Sequence, residues 1–428
     1  MRGVVLAGLA VALWAKDPPP TFSRDVAPIL YRQCAGCHHP GAVAPFSLVT
    51  YADASRRAAL IATVTGHGFM PPWLPGRPRF QNERRLTPAE ISTLQNWAAT
   101  GAHSGNLVEA PPEPSFPEGW PLGTPGLEAE MSQPFTVPAD GPDLYQCFVI
   151  PLPPAPQRYV RAIDIRPGNT RVVHHALLFQ DVTGEAKRRD TGGGYSCFGT
   201  PGFLPARGLG GWTPGKQPVA EPAGMAEPLY PRSDLVLQVH YHATGKRETD
   251  RTRVALYFTA QPPRLHLTDV ALGSSRIDIP AGARDFVVRD HFTLPVDVDL
   301  FGIIPHAHYV CKDMRGYAIL PNGGQRTLLH IPDWNFNWQD QYRYPAPIRL
   351  PAGTRIEMEF TYDNSAENPR NPNHPPRRVV YGPATTDEMA GLHLEVVPVR
   401  ASDEEELSQA LWGKMMRTLG GGVYRRPQ

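Results

Sequence analysis

Arg355-Ile356-Glu357-Met358-Glu359-Phe360-Thr361-Tyr362 places a polar side chain at one position and an apolar one at the next, four times over. A backbone with a two-residue period puts such a run half in a core and half in solvent, so it reads as a β-strand with one buried face. Tyr159 to Ile165 and Leu235 to Tyr241 are short runs of the same kind, broken by Pro and Gly. Outward from these, residues 127–400 read as antiparallel β-sandwich material. That is long for one sandwich, so two jelly-roll-like ones are expected, 127–268 and 269–400, with a join near Leu265 to Gly273. The 49 prolines and 39 glycines suit loop-rich β architecture better than a helical bundle.

The chain before residue 127 has a different character. Residues 20–105 read as a small helical unit, with a short helix from Asp25 to Cys34. A second helix opens at Thr87-Pro88-Ala89-Glu90, with Pro in its first turn and capping-box spacing from Thr87 to Glu90. Ile91, Leu94, Trp97 and Ala98 recur at helical spacing, and Gly101 closes it. Residues 106–126 hold six prolines and read as a linker. At the other end, Ser402 to Leu419 within the tail 401–428 reads as a helix, acidic in its first turn and basic near its end.

Met1-Arg2 and the apolar run Val4 to Ala15 read as a signal peptide, residues 1–15, and no other segment is apolar enough to span a membrane. An exported, periplasmic protein is therefore expected. A net charge of +1 gives no reason to expect nucleic acid or an anionic membrane surface as a partner.

Cys34-Ala35-Gly36-Cys37-His38 is a C-x-x-C-H motif. Two thiols at this spacing form thioethers to the haem vinyls and the adjacent His supplies an iron ligand, so one covalent haem c is expected. Met70, stiffened by Pro71 and Pro72, is the expected sixth ligand, with His67 as its competitor; His39 and His103 read as solvated surface. The unit resembles a small class I cytochrome c. Of the remaining cysteines, Cys147, Cys197 and Cys311, two are expected to pair in an oxidising compartment.

Histidines of the β region fall in three groups: His174-His175, His240 with His242, and His306 with His308. Residues i and i+2 of a strand share a face about 7 Å apart, so each of the last two groups could chelate one ion. Adjacent His174 and His175 would face oppositely on a regular strand and need a bulge to share a metal.

With His174-His175, Val236-Leu237-Gln238-Val239-His240-Tyr241, His306-Ala307-His308 and Thr385-Thr386-Asp387-Glu388-Met389 in this order, residues 127–400 resemble the core of the copper type II, ascorbate-dependent monooxygenases. This group includes peptidylglycine alpha-hydroxylating and dopamine beta-monooxygenase. The resemblance implies two coppers on two β-sandwich domains facing a solvent-filled cleft. His174, His175 and His240 match the electron-delivering site; His306, His308 and Met389 match the site that binds oxygen. Tyr145-Gln146-Cys147 matches a Tyr-x-Cys whose Cys is disulfide-bonded, supporting a Cys147–Cys197 pair with Cys311 left over. His242 has no counterpart among the family's ligands and is expected to line the cleft or support a ligand, while Met314 is read as core. The amidating member's carboxylate-binding Arg and Tyr correspond to Ile304 and His393, which argues against a glycine-extended peptide. The expected activity is hydroxylation of a C–H bond of a small organic substrate with dioxygen, electrons entering from a periplasmic donor through the haem. A haem–copper electron carrier without hydroxylase activity, or a copper-binding module, is the alternative.

Overall fold

The computed structural model describes residues 18–420 apart from 117, 118, 223, 264 and 265. The expected signal segment, residues 1–15, and Leu265 at the expected join lie outside the described residues. The chain divides into two compact units. One comprises the chain up to Pro72 with Arg84–Ser115; the other comprises Trp73–Glu83 and the chain from Phe116 onward.

Helices make up the regular structure of the first unit: a π turn at Phe22–Val26, then Ala27–Gln33, Tyr51–Ser55, Ala58–Gly66 and Pro88–Ala99. The last of these carries the full capping box, with Thr87 and Glu90 satisfying each other's backbone N–H groups. Leu94 and Trp97 of its buried stripe join Phe22, Leu30 and Ile61 in a core of this unit's own.

The second unit is mainly β, built of antiparallel sheets. In a five-stranded sheet, Asp234–Tyr241 runs between Leu144–Pro151 and Val173–Asp181, flanked by Tyr195–Ser196 and Arg207–Trp212. Its apolar face shares a buried cluster with Arg158–Arg166 and Arg253–Thr259 of a four-stranded sheet. A second cluster joins two further four-stranded sheets. One includes Val298–His306 beside Gly391–Pro398; the other includes Cys311–Ile319 beside Arg355–Tyr362. In the last strand Ile356, Met358, Phe360 and Tyr362 are buried and Arg355 is exposed, while Glu357 on the outer face is also covered and pairs with Arg355 at 2.7 Å. The chain passes from the first cluster to the second between Thr259 and Thr268. The tail helix is Glu404–Gly420, after a 3-10 turn at Ala401–Asp403.

One boundary differs from expectation. Trp73–Glu83, assigned by sequence to the first unit, belongs to the second. Its backbone pairs there: Gly76 N–H donates to His330 O at 2.7 Å and Gln81 N–H to Arg343 O at 2.7 Å. Trp73 and Phe80 pack against Tyr342, so two aromatic side chains gain a core by joining the β unit. Among the described residues no helix is long and apolar enough to cross a membrane.

Cys147 and Cys197 form the expected disulfide, closing a loop of 50 residues, and Cys311 is a buried thiol. Replacing both bridged cysteines with Ala should lower the stability of the β unit by roughly 2–5 kcal/mol, seen as an earlier denaturant midpoint of the β signal. An unchanged midpoint would show that the cross-link does not restrain the unfolded chain.

Candidate metal centres

Three strands of the five-stranded sheet build the first centre. Every residue of Asp234–Tyr241 is buried, and His240 near its end has His175 as cross-strand partner on one side and Tyr145 on the other. The register shifts between Val173 and His175, so His174 is an extra residue on its strand. Such a bulge lets two adjacent residues turn toward one side, which a regular pleat forbids. The Nδ1 atoms of His174 and of His240 each lie 3.3 Å from Nδ1 of His175. A nitrogen of imidazole offers one lone pair or one proton in its plane, so His175 Nδ1 can satisfy only one of these neighbours. Burial holds His174 down to about 3 and His175 well below its ordinary value, with His240 adding to both shifts. Neutral, crowded, convergent nitrogens fit a cation better than they fit one another, and all three donors lie within 4.8 Å.

The opposite side of His240 is also built. Its Nε2 lies 3.2 Å from Oδ2 of Asp143, while Oδ1 of the same carboxylate accepts from His242 Nδ1 at 2.7 Å. Burial pushes the Asp143 carboxyl up, but its two histidine partners outweigh it and hold it well below the usual range. His240 Nε2 and Asp143 Oδ2 are both buried and neither has a hydrogen-bond partner, so they meet as a close charge contact at 3.2 Å. A carboxylate behind a ligating imidazole orients the ring and raises its basicity. The Tyr145 ring stacks on His240 at 4.1 Å, and its hydroxyl donates to Pro383 O at 2.9 Å. His240 and His242 therefore do not chelate one ion: the strand ends at Tyr241, and His242, 63 % exposed, turns to Asp143.

His306 and His308 form the second group, their ring centroids 5.4 Å apart. The strand stops at His306, so His308 lies in the following turn rather than two residues along the same face. What holds that turn is Glu388. Its carboxylate accepts from the backbone N–H of His308, from Val310 N–H at 3.1 Å and from Met389 N–H at 2.8 Å. Complete burial pushes this carboxyl up to about 8 against the pull of those donors. His308 Nδ1 donates to Asp387 O at 3.2 Å and His306 Nδ1 to Gln339 Oε1 at 2.5 Å, which leaves Nε2 of each ring available to a metal. Burial holds His306 down to about 4 and His308 to about 3. Met389 joins this region through its backbone: Tyr362 donates to its carbonyl at 2.8 Å, and His306 pairs with Gly391 two residues further on. Ile304 pairs with His393, whose Nδ1 is held by Asp269 at 2.8 Å. Met314 is fully buried in the core.

A single loop after Ile331 serves both groups. Trp334 Nε1 donates to His308 O at 3.1 Å, Gln339 holds His306, and the Phe336 ring stacks on His174 at 4.6 Å. The same ring meets His308 edge-on at 5.2 Å. Asp143, Glu388, Phe336 and Gln339 were not singled out by sequence reasoning. Of these, only Glu388 stood inside a quoted motif.

In the first unit, Cys34 and Cys37 are thiols in the turns that follow the Ala27–Gln33 helix. Burial pushes Cys34 up to about 12. His38 Nδ1 donates to Phe46 O at 3.1 Å, leaving Nε2 as the nitrogen that could meet an iron. Met70 is half-buried, its N–H donating to Val64 O at 3.1 Å; His67 is exposed, with Nδ1 donating to Thr63 O at 2.8 Å.

No protein-family model matches the chain, and no curated protein matches it. Among solved structures it is similar to the major capsid protein P2 of bacteriophage PM2, at 9% identity and TM-score 0.27, covering 64% of this chain and 98% of that one. It is also similar to PNGF-II, at 10% identity and TM-score 0.28, covering 63% and 65%. For the VP2 subviral particle of infectious bursal disease virus the values are 12%, 0.20, 66% and 74%. Likenesses at these scores carry no argument about function.

Replacing Asp143 with Asn should weaken zinc or copper binding at the three-histidine centre about 10–100-fold, measured by calorimetric titration, because the neutral amide no longer supports the ring behind His240. Replacing His242, which touches only the far oxygen, should cost less. Equal affinity for the Asn variant and the parent chain would remove Asp143 from the centre.

Proposed function

We propose that this chain is a copper-dependent monooxygenase carrying a covalent haem c, exported to the periplasm, in which two β-sandwich domains each present one copper. The carrying observation is the pair of histidine groups on one β unit: three convergent Nδ1 atoms in one, and two rings tied through Nδ1 in the other. Two differently built nitrogen sites suit an electron-delivering metal and a metal open to dioxygen. Met389 would complete the second set with a thioether, which favours the reduced metal.

Copper at these positions, when bound, supplies the one-electron steps by which substrate, dioxygen, two electrons and two protons become alcohol and water. The chain's own part is orientation. Asp143 aims His240, Gln339 aims His306, and Glu388 fixes the turn that carries His308 and the backbone of Met389. In the first unit, Cys34 and Cys37 would bind haem c, with His38 and Met70 as the side chains that would hold its iron. Electrons would enter there from a periplasmic donor.

The substrate should be a small organic molecule without an anchored carboxylate. Ile304 offers no donor, and His393, whose Nδ1 and charge are taken by Asp269, has a single Nε2 left, so no bidentate clamp offsets the desolvation of an anion there.

The chain produced in a periplasm should carry ~1 haem and ~2 coppers, and Met389→Ile should lower copper to ~1 without altering the haem spectrum. With ¹⁸O₂ and a panel of uncharged organic compounds, label should appear in an alcohol product. Metal-loaded protein that cycles its electrons but never incorporates label would identify an electron carrier instead.

A further inference from the structure

We propose that Phe336 is a positioning residue shared by the two histidine centres, so that metal binding at one is thermodynamically coupled to metal binding at the other. The proposal rests on reading both groups as metal centres and adds that they are not independent.

Phe336 is 2 % exposed and has no polar side-chain atom, yet it sits among imidazoles. Its ring lies nearly parallel to His174, at 17° and 4.6 Å, and nearly perpendicular to His308, at 73° and 5.2 Å. It also contacts Tyr309, the residue after His308, at 4.7 Å. One rigid ring therefore touches a metal-facing residue of each group, in the offset and edge-on geometries that aromatic pairs favour. Besides Phe336, His174 meets Nδ1 of His175 at 3.3 Å and the rings of His175 and His240 edge-on at 5.6 and 4.9 Å, neighbours that would themselves turn toward a cation. The plane of His174 is thus set by the stacked Phe336 ring on one side and by the cation-facing histidines on the other.

The loop cannot yield at Phe336 without disturbing the second centre. Arg370 clamps it through Asp333 Oδ1 and Trp334 O, both at 2.7 Å, and Trp334 reaches His308 O. Tyr309 donates to Asn337 Oδ1 at 3.2 Å, and Gln339 ends the loop on His306. A cation that draws His174 into one orientation selects a position of Phe336, and through it an orientation of His308. The second ion then meets a site that no longer has to be ordered, which is positive coupling in free energy.

The test uses the full chain and zinc(II), a probe that undergoes no redox chemistry, titrated against a chelator of known affinity. Three proteins give the coupling: the parent, a His175→Ala, His240→Ala variant that retains the Phe336–His174 stack but loses the first centre, and a His306→Ala, His308→Ala variant that loses the second. The parent's overall affinity for two ions should exceed the product of the two single-site affinities by about 5-fold or more. In a Phe336→Leu background, which keeps an apolar side chain but no ring, that excess should disappear. A merely structural contribution would lower each affinity and leave the excess intact. Thermal melts of the Phe336→Leu set confirm that folded protein is compared. Independent sites in the parent, or an excess that survives Phe336→Leu, would overturn the proposal. Failure of the parent to bind zinc at either group would instead overturn the metal-centre reading and take the coupling with it.

Discussion

An imidazole has two ring nitrogens on opposite sides, and whichever one the protein holds decides which one a metal can meet. This constraint organises the β unit. In the second group Gln339 and Asp387 hold Nδ1 of His306 and His308, which leaves Nε2 outward. In the first group Asp143 stands behind Nε2 of His240, and the three Nδ1 atoms converge. The same residue type is thus presented in two different ways, and the difference lies in the side chains that stand behind the rings. It also explains why the supporting residues come from separate stretches of chain: each must approach a ring from the side facing away from the other rings.

Burial makes an unpartnered ring nitrogen costly in these groups. His174, His175, His306 and His308 are all driven toward the neutral form by desolvation. A neutral, buried imidazole needs a partner for each nitrogen, and a crowd of three cannot provide one for every Nδ1 from within. The bulge at His174 creates this crowding. Without the register shift its ring would point to the other face of the sheet, and the remaining two nitrogens could share one proton between them. One inserted residue converts a pair that can satisfy itself into a trio that cannot.

The strands were legible because alternation is a local signal: Arg355 to Tyr362 marks its apolar face at every second residue, and the found strand has the same bounds. The capping box at Thr87 was legible for the same reason, being complete within four residues. The histidine groups were visible because they cluster in sequence, and the bulge was required by simple geometry once His174 and His175 were taken together. Asp143, Phe336 and Gln339 gave no such signal. An isolated Asp, Phe or Gln in a loop becomes significant only when the fold brings it to histidines 28 to 162 positions away, and neither periodicity nor spacing carries that information. Trp73 and Phe80 fall with the β unit, although they lie within residues 20–105, because two large apolar rings follow the larger core. The reading of His306 and His308 as strand neighbours failed because Glu388 ends the strand by capturing the N–H groups of His308 and Val310.

Glu388 illustrates how far the second centre depends on a polar group rather than on packing. A carboxyl with no exposure would ordinarily be replaced by an apolar side chain, since burying it without partners costs several kcal/mol. Here it gathers N–H groups from two segments, the turn after His306 and its own link to Met389. Backbone donors in a turn have no ladder to satisfy them, so the carboxylate does for this turn what a neighbouring strand does for a sheet. An apolar replacement of the same size would fill the space and leave those donors unpaired. The separation of His308 from Met389 is therefore fixed by one side chain that both segments bond, and the remaining freedom of the centre lies in the rings themselves, where Gln339 and Phe336 act.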